Sequence, residues 1–340
     1  MEKLENMGYV FITDYVEPNS GRDVSDGIQK AIDENPNMTI YFPDGEYILA
    51  KPVLTPADPK KSVALKLSNF AKLKASSDWN SDEAMVRLGA SHPANDIDTP
   101  GSNYYFEGGI IDGSEIAKGI SIDGGRETAI RNLSIKRTSV GLIIKNGANS
   151  GSSDCDIDTV NIVGNGKADS VGVVLEGADN TLTNMRIASV HMGVKIIRSG
   201  NYFRNVHPLY IYENELTEHY QDSYAFYDLS SGNWYDTCYS DQFATGFYAA
   251  KDTISSYMGC RAFWYSDKGN KQIGFEFDGK FHSLMNGCHI SLKYENVEGK
   301  YMTVKEDGGK GRVNNPIVYE PNNHDDSFKK YTKDEAIWRS

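Results

Sequence analysis

The sequence predicts an all-β solenoid, a parallel β-helix, and three observations carry that prediction. Short stretches alternating apolar and polar residues recur along the chain at intervals of about 20–25 residues, the length of one coil of several short strands. Each repeat then contains a second short strand led by glycine, replaced once by Ala225. Nothing in the chain has the 3.6-residue period of a helical solenoid, and the interval is too short for the four-stranded blade of a propeller.

The stretch Asp179–Tyr212, DNTLTNMRIASVHMGVKIIRSGNYFRNVHPLYIY, contains one whole unit and the start of the next. Apolar residues alternate with polar ones on both sides of a turn at Ala188–Met192, which means half-buried strands. The Asn-x-apolar-x-Asn pattern restarts at Asn201. Such a segment cannot bury its apolar edge alone, so neighbouring copies must stack on it.

Units begin near Asn103, Thr128, Cys155, Asn180, Asn201, Asn233, Thr253 and Lys280. In the first strand, Ile130, Ile157, Leu182, Phe203, Tyr235, Ile254 and Phe281 are expected in one inward column. Asn132, Thr159, Asn184, Asn205, Thr237, Ser256 and Ser283 are expected in a second inward column, an amide and hydroxyl ladder. The second strand repeats as GISID (119–123), GLIIK (141–145), GVVLE (172–176), GVKII (193–197), AFYDL (225–229), GFYAA (246–250) and GFEFD (274–278). Its leading glycine suits a corner where a Cβ would clash.

Ahead of the repeats, SGRDVSDGIQKAIDENPNMTIYFPDGEYIL predicts a helix capped by Asp23 or Ser25 with Ile28, Ala31 and Ile32 on its apolar face. Thr39–Phe42 and Tyr47–Leu49 follow as strands about the turn Pro43-Asp44-Gly45. This helix and strand would cover the open end of the stack. Val63–Leu67 and Ala84–Leu88 read as strands, and Ser76–Glu83 and Ser91–Gly101 as polar loops. The organisation is one structural domain: 1–100 the cap and first irregular coils, 101–300 the regular coils, and 301–340 a C-terminal cap or tail.

Composition bounds the function. With 340 residues, 39% hydrophobic and 24% charged, the chain can bury a large core. A formal net charge of −12 argues against a general nucleic-acid or anionic-membrane surface. No apolar run is long enough to span a bilayer. The start, MEKLENMGYVFITDY, has no basic segment followed by an apolar one, so no secretion signal is read and localisation stays open. Cys155, Cys238, Cys260 and Cys288 form no CxxC and fall at apolar positions, so they are read as small core residues.

RDVSDGIQKAIDENPNMTIYFPDGEYIL (22–49) resembles the opening segment of the pectate-lyase-like, right-handed parallel β-helix superfamily, and GGIIDGS (108–114) is similar to that group's first coil. The resemblance implies a single-stranded right-handed parallel β-helix with an N-terminal helix–strand cap. It also implies a polysaccharide as substrate, since pectate lyases, polygalacturonase-related hydrolases, inulin fructotransferases and phage tailspike depolymerases belong to the group. The Gly-His-Gly and Arg-Ile-Lys stretches of the polygalacturonases are absent, so only fold and substrate class carry over.

Alternation decides which side chains face out. Arg131, Asp158, Thr183, Arg204, Asp236, Ser255 and His282 form one expected outward column; Ser134, Asn161, Arg186, His207 and Tyr239 form the next. With coils stacked at about 4.8 Å, Arg186, Arg204, His207, Asp236 and Tyr239 would make one polar patch. The alternative is a solvated face of mixed charge. Beside the patch, the insertion HPLYIYENELTEHYQDSY (207–224) brings Tyr210 and Tyr212 as sugar-stacking rings, with Glu213 as a polar contact. It can equally pack over its own coil.

Cleavage of a glycosidic bond by hydrolysis or intramolecular transfer needs two carboxyl groups, about 5 Å apart for retention or about 6.5–9.5 Å for inversion. The candidates are Asp236, Asp241 and Asp228. Asp228 falls in an inward column, where burial would raise its pKa and suit a general acid. A lyase acting on a uronate would instead use His207, Tyr239 or Lys195 as base, with Arg186, Arg204 or Ca²⁺ neutralising the acid. Asp154, Asp156 and Asp158 alternate outward and offer oxygen ligands to Ca²⁺; pairing with arginine is the competing role. No other cofactor is expected. A third reading is a non-catalytic glycan-binding β-helix or phage fibre component. If the wall is not the site, the opposite face around Lys195, Tyr227, Tyr248 and Glu276 is next. The expected partners are an oligo- or polysaccharide and further copies of the chain in a homo-oligomer, a trimer being the form considered; neither nucleic acid nor membrane is expected.

Overall fold

The computed structural model describes residues 8–91, 105–147, 152–250, 252–265, 271–293, 297–319, 325–332 and 337–338. The chain forms two compact units, Met1–Asn165 with Glu176–Asn180, and Gly166–Leu175 with Thr181–Ser340. Both are built of parallel strands, three to a coil, in a single-stranded right-handed parallel β-helix.

In the first unit three inward columns make the core. Ile40, Leu65, Phe106, Ile130 and Ile157 stack in register. Leu73, Ile111, Ile135 and Ile162 form the second, and Val53, Val86, Ile120 and Leu142 the third. All are buried. The helix Ser25–Glu34 turns Ser25, Ile28, Ala31 and Ile32 inward. At its start the Asp23 carboxylate accepts hydrogen bonds from the Ser25 N–H at 3.0 Å and the Ala50 N–H at 3.0 Å. Gln29 ties the helix to strand Val53–Pro56, accepting from the Leu54 N–H at 2.8 Å and donating to the Leu54 carbonyl at 3.0 Å. Strand Tyr9–Phe11 pairs with Thr39–Phe42. Ala71–Ala75 is a strand that sequence reading had not marked. Most of the expected loop Ser91–Gly101 lies outside the described residues.

The second unit repeats the plan with more aromatic residues. Leu182, Phe203, Tyr235, Tyr257, Met285 and Val313 form one column. Val173, Val194, Phe226, Phe247, Phe275 and Met302 form another, in which Phe226 and Phe247 stack at 4.7 Å. The expected positions of Ile254 and Phe281 in the first column are therefore corrected to Tyr257 and Met285; Ile254 is 65% exposed. The coils continue past residue 300 through Lys300–Glu306, Arg312–Asn314 and Ile317–Tyr319, and buried Phe328 packs on Tyr301.

The expected inward ladder is also corrected. Asn132, Thr159, Asn184, Asn205 and Thr237 are exposed, each with a left-handed backbone (φ between 51° and 56°). They are the bend that splits each long strand, and asparagine is favoured there because it tolerates that conformation. The amide pairing runs along the outside, where Asn205 Nδ2 donates to Asn184 Oδ1 at 2.9 Å. The inward ladder sits at the coil starts instead: Asn201 N–H donates to Asn233 Oδ1 (2.9 Å), Asn233 N–H to Ser255 Oγ (3.1 Å) and Ser255 N–H to Ser283 Oγ (3.0 Å). The leading glycines behave as their position required. A Cβ on Gly193 would lie 2.4 Å from the Ala225 carbonyl oxygen, and one on Gly119 2.4 Å from that of Gly141. The four cysteines are free and buried. Cys238, Cys260 and Cys288 each donate to a carbonyl one coil back, on Phe203, Tyr235 and Tyr257.

Candidate functional site

On the outer wall of the second unit, parallel pairing sets the side chains in file. Arg186 is level with His207; Leu209 is level with Asp241, which puts His207 beside Tyr239; Tyr239 is level with Arg261, and Arg261 with His289. The His207 and Tyr239 rings stack at 4.2 Å, 20° from parallel. Asp241 Oδ2 lies 3.6 Å from His207 Nε2. The Arg261 guanidinium lies 5.3 Å from the Tyr239 ring centroid and 5.1 Å from that of Phe263.

This cluster is half-buried and incompletely satisfied. His207 Nε2, Asp241 Oδ1 and Arg261 Nε are closed off from solvent and form no hydrogen bond, a costly state for buried polar groups. Burial, and then the Asp241 carboxylate, push the Tyr239 phenol well up, so it stays protonated at neutral pH. Burial and the Arg261 charge push the His289 imidazole down to about 4, so it stays neutral.

Across the bend at Asn205 and Thr237 lies a second cluster. Arg204 is level with Asp236, its Nε 3.6 Å from Asp236 Oδ2, and the Tyr202 hydroxyl donates to the same oxygen at 3.0 Å. The five residues expected in one patch therefore fall in two adjoining groups, Arg204 with Asp236 and Arg186 with His207 and Tyr239.

Other expected site residues lie elsewhere. Asp228 does face inward, but it is 0% exposed, where substrate has no access. It accepts hydrogen bonds from the Ser230 N–H and hydroxyl, Asn233 Nδ2 and the Tyr235 hydroxyl. It is a core hub, and its expected role as general acid is corrected. Tyr210 is buried at 1% exposure, its hydroxyl on the Leu216 carbonyl and its ring against Tyr212, Tyr220 and Phe243. Tyr212 belongs to the same cluster and donates to the Gln242 carbonyl at 3.2 Å. These rings hold the insertion down rather than offering their faces to a sugar. Glu213 accepts from Ser189 Oγ at 2.7 Å, and Glu215 from the Ala168 N–H at 3.1 Å, so the insertion packs over the coils of its own unit. Lys195 lies on the other sheet, level with Tyr227, away from the cluster.

In the first unit Asp154 pairs with Arg126 at 2.7 Å and Asp156 with Arg131. Asp154 and Asp156 thus take the arginine-pairing role, and among the described residues no group of three or more His, Cys, Asp or Glu is placed to hold a metal ion.

No protein-family model and no curated protein matches the chain. Among solved structures, ORF18 of Geobacillus virus E2 is similar over 93% of this chain and 62% of its own, at 12% identity and a TM-score of 0.63. A double mutant of the tailspike protein of E. coli bacteriophage HK620, in complex with a pentasaccharide, is similar over 92% of this chain and 63% of its own, at 11% identity and a TM-score of 0.66. The fold shared with these structures is the parallel β-helix. The chain spans somewhat less than two thirds of the length of both these structures.

Arg261 and His289 escaped the sequence reading. A signal was present: Tyr239, Arg261 and His289 each follow a cysteine, in CYS (238–240), CRA (260–262) and CHI (288–290). It was hidden because Gly259 and Gly287, with φ of 60° and 63°, fill the left-handed bend that asparagine or threonine fills earlier. Alignment on Asn and Ser therefore slipped by three residues in the coil of Tyr257 and by four in that of Met285.

Proposed function

We propose that the chain is a carbohydrate-active enzyme that cleaves an acidic glycan on the outer wall of its second unit, by β-elimination beside a uronate. The observation that carries this reading is the column Arg186, His207, Tyr239, Arg261, His289, in which two guanidinium charges stand with a phenol and two imidazoles, that of His289 neutral, in a chain of net charge −12. Such a column favours an anionic ligand against the repulsion of the rest of the surface. The pentasaccharide bound to the HK620 tailspike supports a glycan as the ligand class on this fold.

In this reading the guanidinium of Arg186 or Arg261 pairs with the uronate carboxylate and stabilises the carbanion-like transition state. His207 takes the proton α to that carboxylate, and Asp241 stabilises the imidazolium so formed. The electron pair becomes the C4–C5 double bond as the C4–O bond breaks. Tyr239, still protonated, gives its proton to the departing oxygen. General acid–base assistance of this kind contributes about 10²–10⁴-fold.

Hydrolysis or intramolecular transfer is the second reading, favoured by one observation: Asp236 and Asp241 are partly exposed carboxylates on either side of the bend at Thr237. Incubation with uronate-containing polysaccharides decides between them. Ultraviolet absorbance from unsaturated uronate ends is expected. Reducing ends released without that absorbance would move the assignment to hydrolysis through Asp236 and Asp241. Binding without turnover across a broad glycan panel would make the chain a non-catalytic glycan-binding β-helix.

A further inference from the structure

Trp234 is the large apolar side chain most out of place on this wall. It is 52% exposed, whereas Trp79 and Trp264 are buried at 7% and 0%. It points outward from strand Trp234–Asp236, level with Tyr202 on one side and the small Ser256 on the other. Ile254, Met258 and Leu284, on the next coils, are also exposed, at 65%, 38% and 41%. An exposed indole with apolar neighbours marks a surface built to be covered. Two residues on along the same face is Asp236, held by Tyr202 and flanked by Arg204.

We propose that Trp234 is the platform of a sugar-binding subsite, with Arg204 and Asp236 as its polar clasp, adjoining the reactive cluster across the bend. The inference rests on the glycan reading given above and names where the chain of sugars continues. A pyranose ring has one face of C–H groups and a rim of hydroxyl groups. The face suits the indole, and the rim suits a carboxylate and a guanidinium standing beside it. The position argues for the same occupant. The indole and its clasp share strand Tyr202–Leu209 and its neighbours with His207 and Tyr239, so a glycan lying across the bend meets both. A flat protein partner would have to bury the Arg204–Asp236 pair within an apolar contact, at a desolvation cost that a hydroxylated ligand avoids.

The experiment uses the full chain with oligogalacturonate, oligomannuronate and a neutral cello-oligosaccharide as probes. Binding of a uronate oligosaccharide is expected to shift the tryptophan emission and to shield it from acrylamide, and Trp234→Phe isolates that signal. Trp234→Ala is expected to bind the oligosaccharide about tenfold more weakly by calorimetry, the scale of one aromatic contact. Its unfolding should match the wild type, since the side chain supports no core. Equal affinity of wild type and Trp234→Ala would overturn the subsite while leaving the glycan reading intact. Shielding that grows with protein concentration alone, with association seen by sedimentation, would assign the surface to a second copy and overturn it too. Failure of the wild type to bind any of the three would remove both the subsite and the glycan reading.

Discussion

The rings of His207 and Tyr239 lie face to face, 4.2 Å apart, on successive coils of the second unit. Stacking fixes both rings, while Asp241 stands 3.6 Å from His207 Nε2. Tyr239→Phe keeps the stack and removes only the hydroxyl. Turnover of a uronate glycan should fall at least about 10²-fold, with thermal unfolding unchanged. The rate of appearance of unsaturated ends checks this, and an undiminished rate would remove Tyr239 from the chemistry.

Asp228 should matter to folding and not to chemistry. Asp228→Ala strands buried donors on Ser230, Asn233 and Tyr235 together. The expected loss is about 3 kcal/mol or more in urea unfolding, since each buried donor left without its acceptor costs about 1–3 kcal/mol. Wild-type stability in this variant would show that the carboxylate is dispensable to the core.

His289 sets an acid limit. Its pKa is held down to about 4 by burial and by Arg261, against 6.5 in an unfolded chain. Above pH 6.5 both states are neutral there and the residue is without effect. As pH falls from 6.5 to about 4 the unfolded chain takes up the proton first, so stability drops across that window. His289→Gln should lessen the drop in a series of melting temperatures taken between those values. A parallel decline in both proteins would contradict the assignment.

Gly89 in the first unit has φ of 68°, and a Cβ there would lie 1.6 Å from the Gly124 carbonyl oxygen. Its N–H also donates to the buried Thr55 hydroxyl at 2.9 Å. Gly89→Ala should lower stability by about 2 kcal/mol or more, from left-handed strain and the clash together. An unchanged melting temperature would mean that the two backbones separate freely.

The fold was legible because its signal is repeated. Alternation at Leu182, Phe203 and Tyr235 and the glycines before each second strand fix strand type, stacking and face without tertiary information. The helix Ser25–Glu34 was legible from the spacing of Ile28, Ala31 and Ile32. What escaped was the backbone conformation between strands. An asparagine reads the same in sequence whether it points into a ladder or occupies a left-handed bend, and only φ separates Asn205 from Asn201. That ambiguity displaced the last coils, concealed Arg261 and His289, and left Trp234 unremarked. The aromatic residues of the insertion were misjudged for a related reason: composition marks a loop as rich in tyrosine but cannot say that Tyr210 and Tyr220 pack beneath it.

The excursion between Leu209 and Tyr224 leaves the ladder on both sides undisturbed: Tyr202 still faces Trp234, and Met192 still faces Tyr224. Corner length and wall spacing are thus set by separate means, the first by how much chain loops out and the second by hydrogen bonding between coils. A longer, shorter or differently composed corner can change what stands beside the wall without shifting any side chain on it. Sequence divergence among proteins built this way can therefore accumulate at the corners, while the strands beneath keep their register.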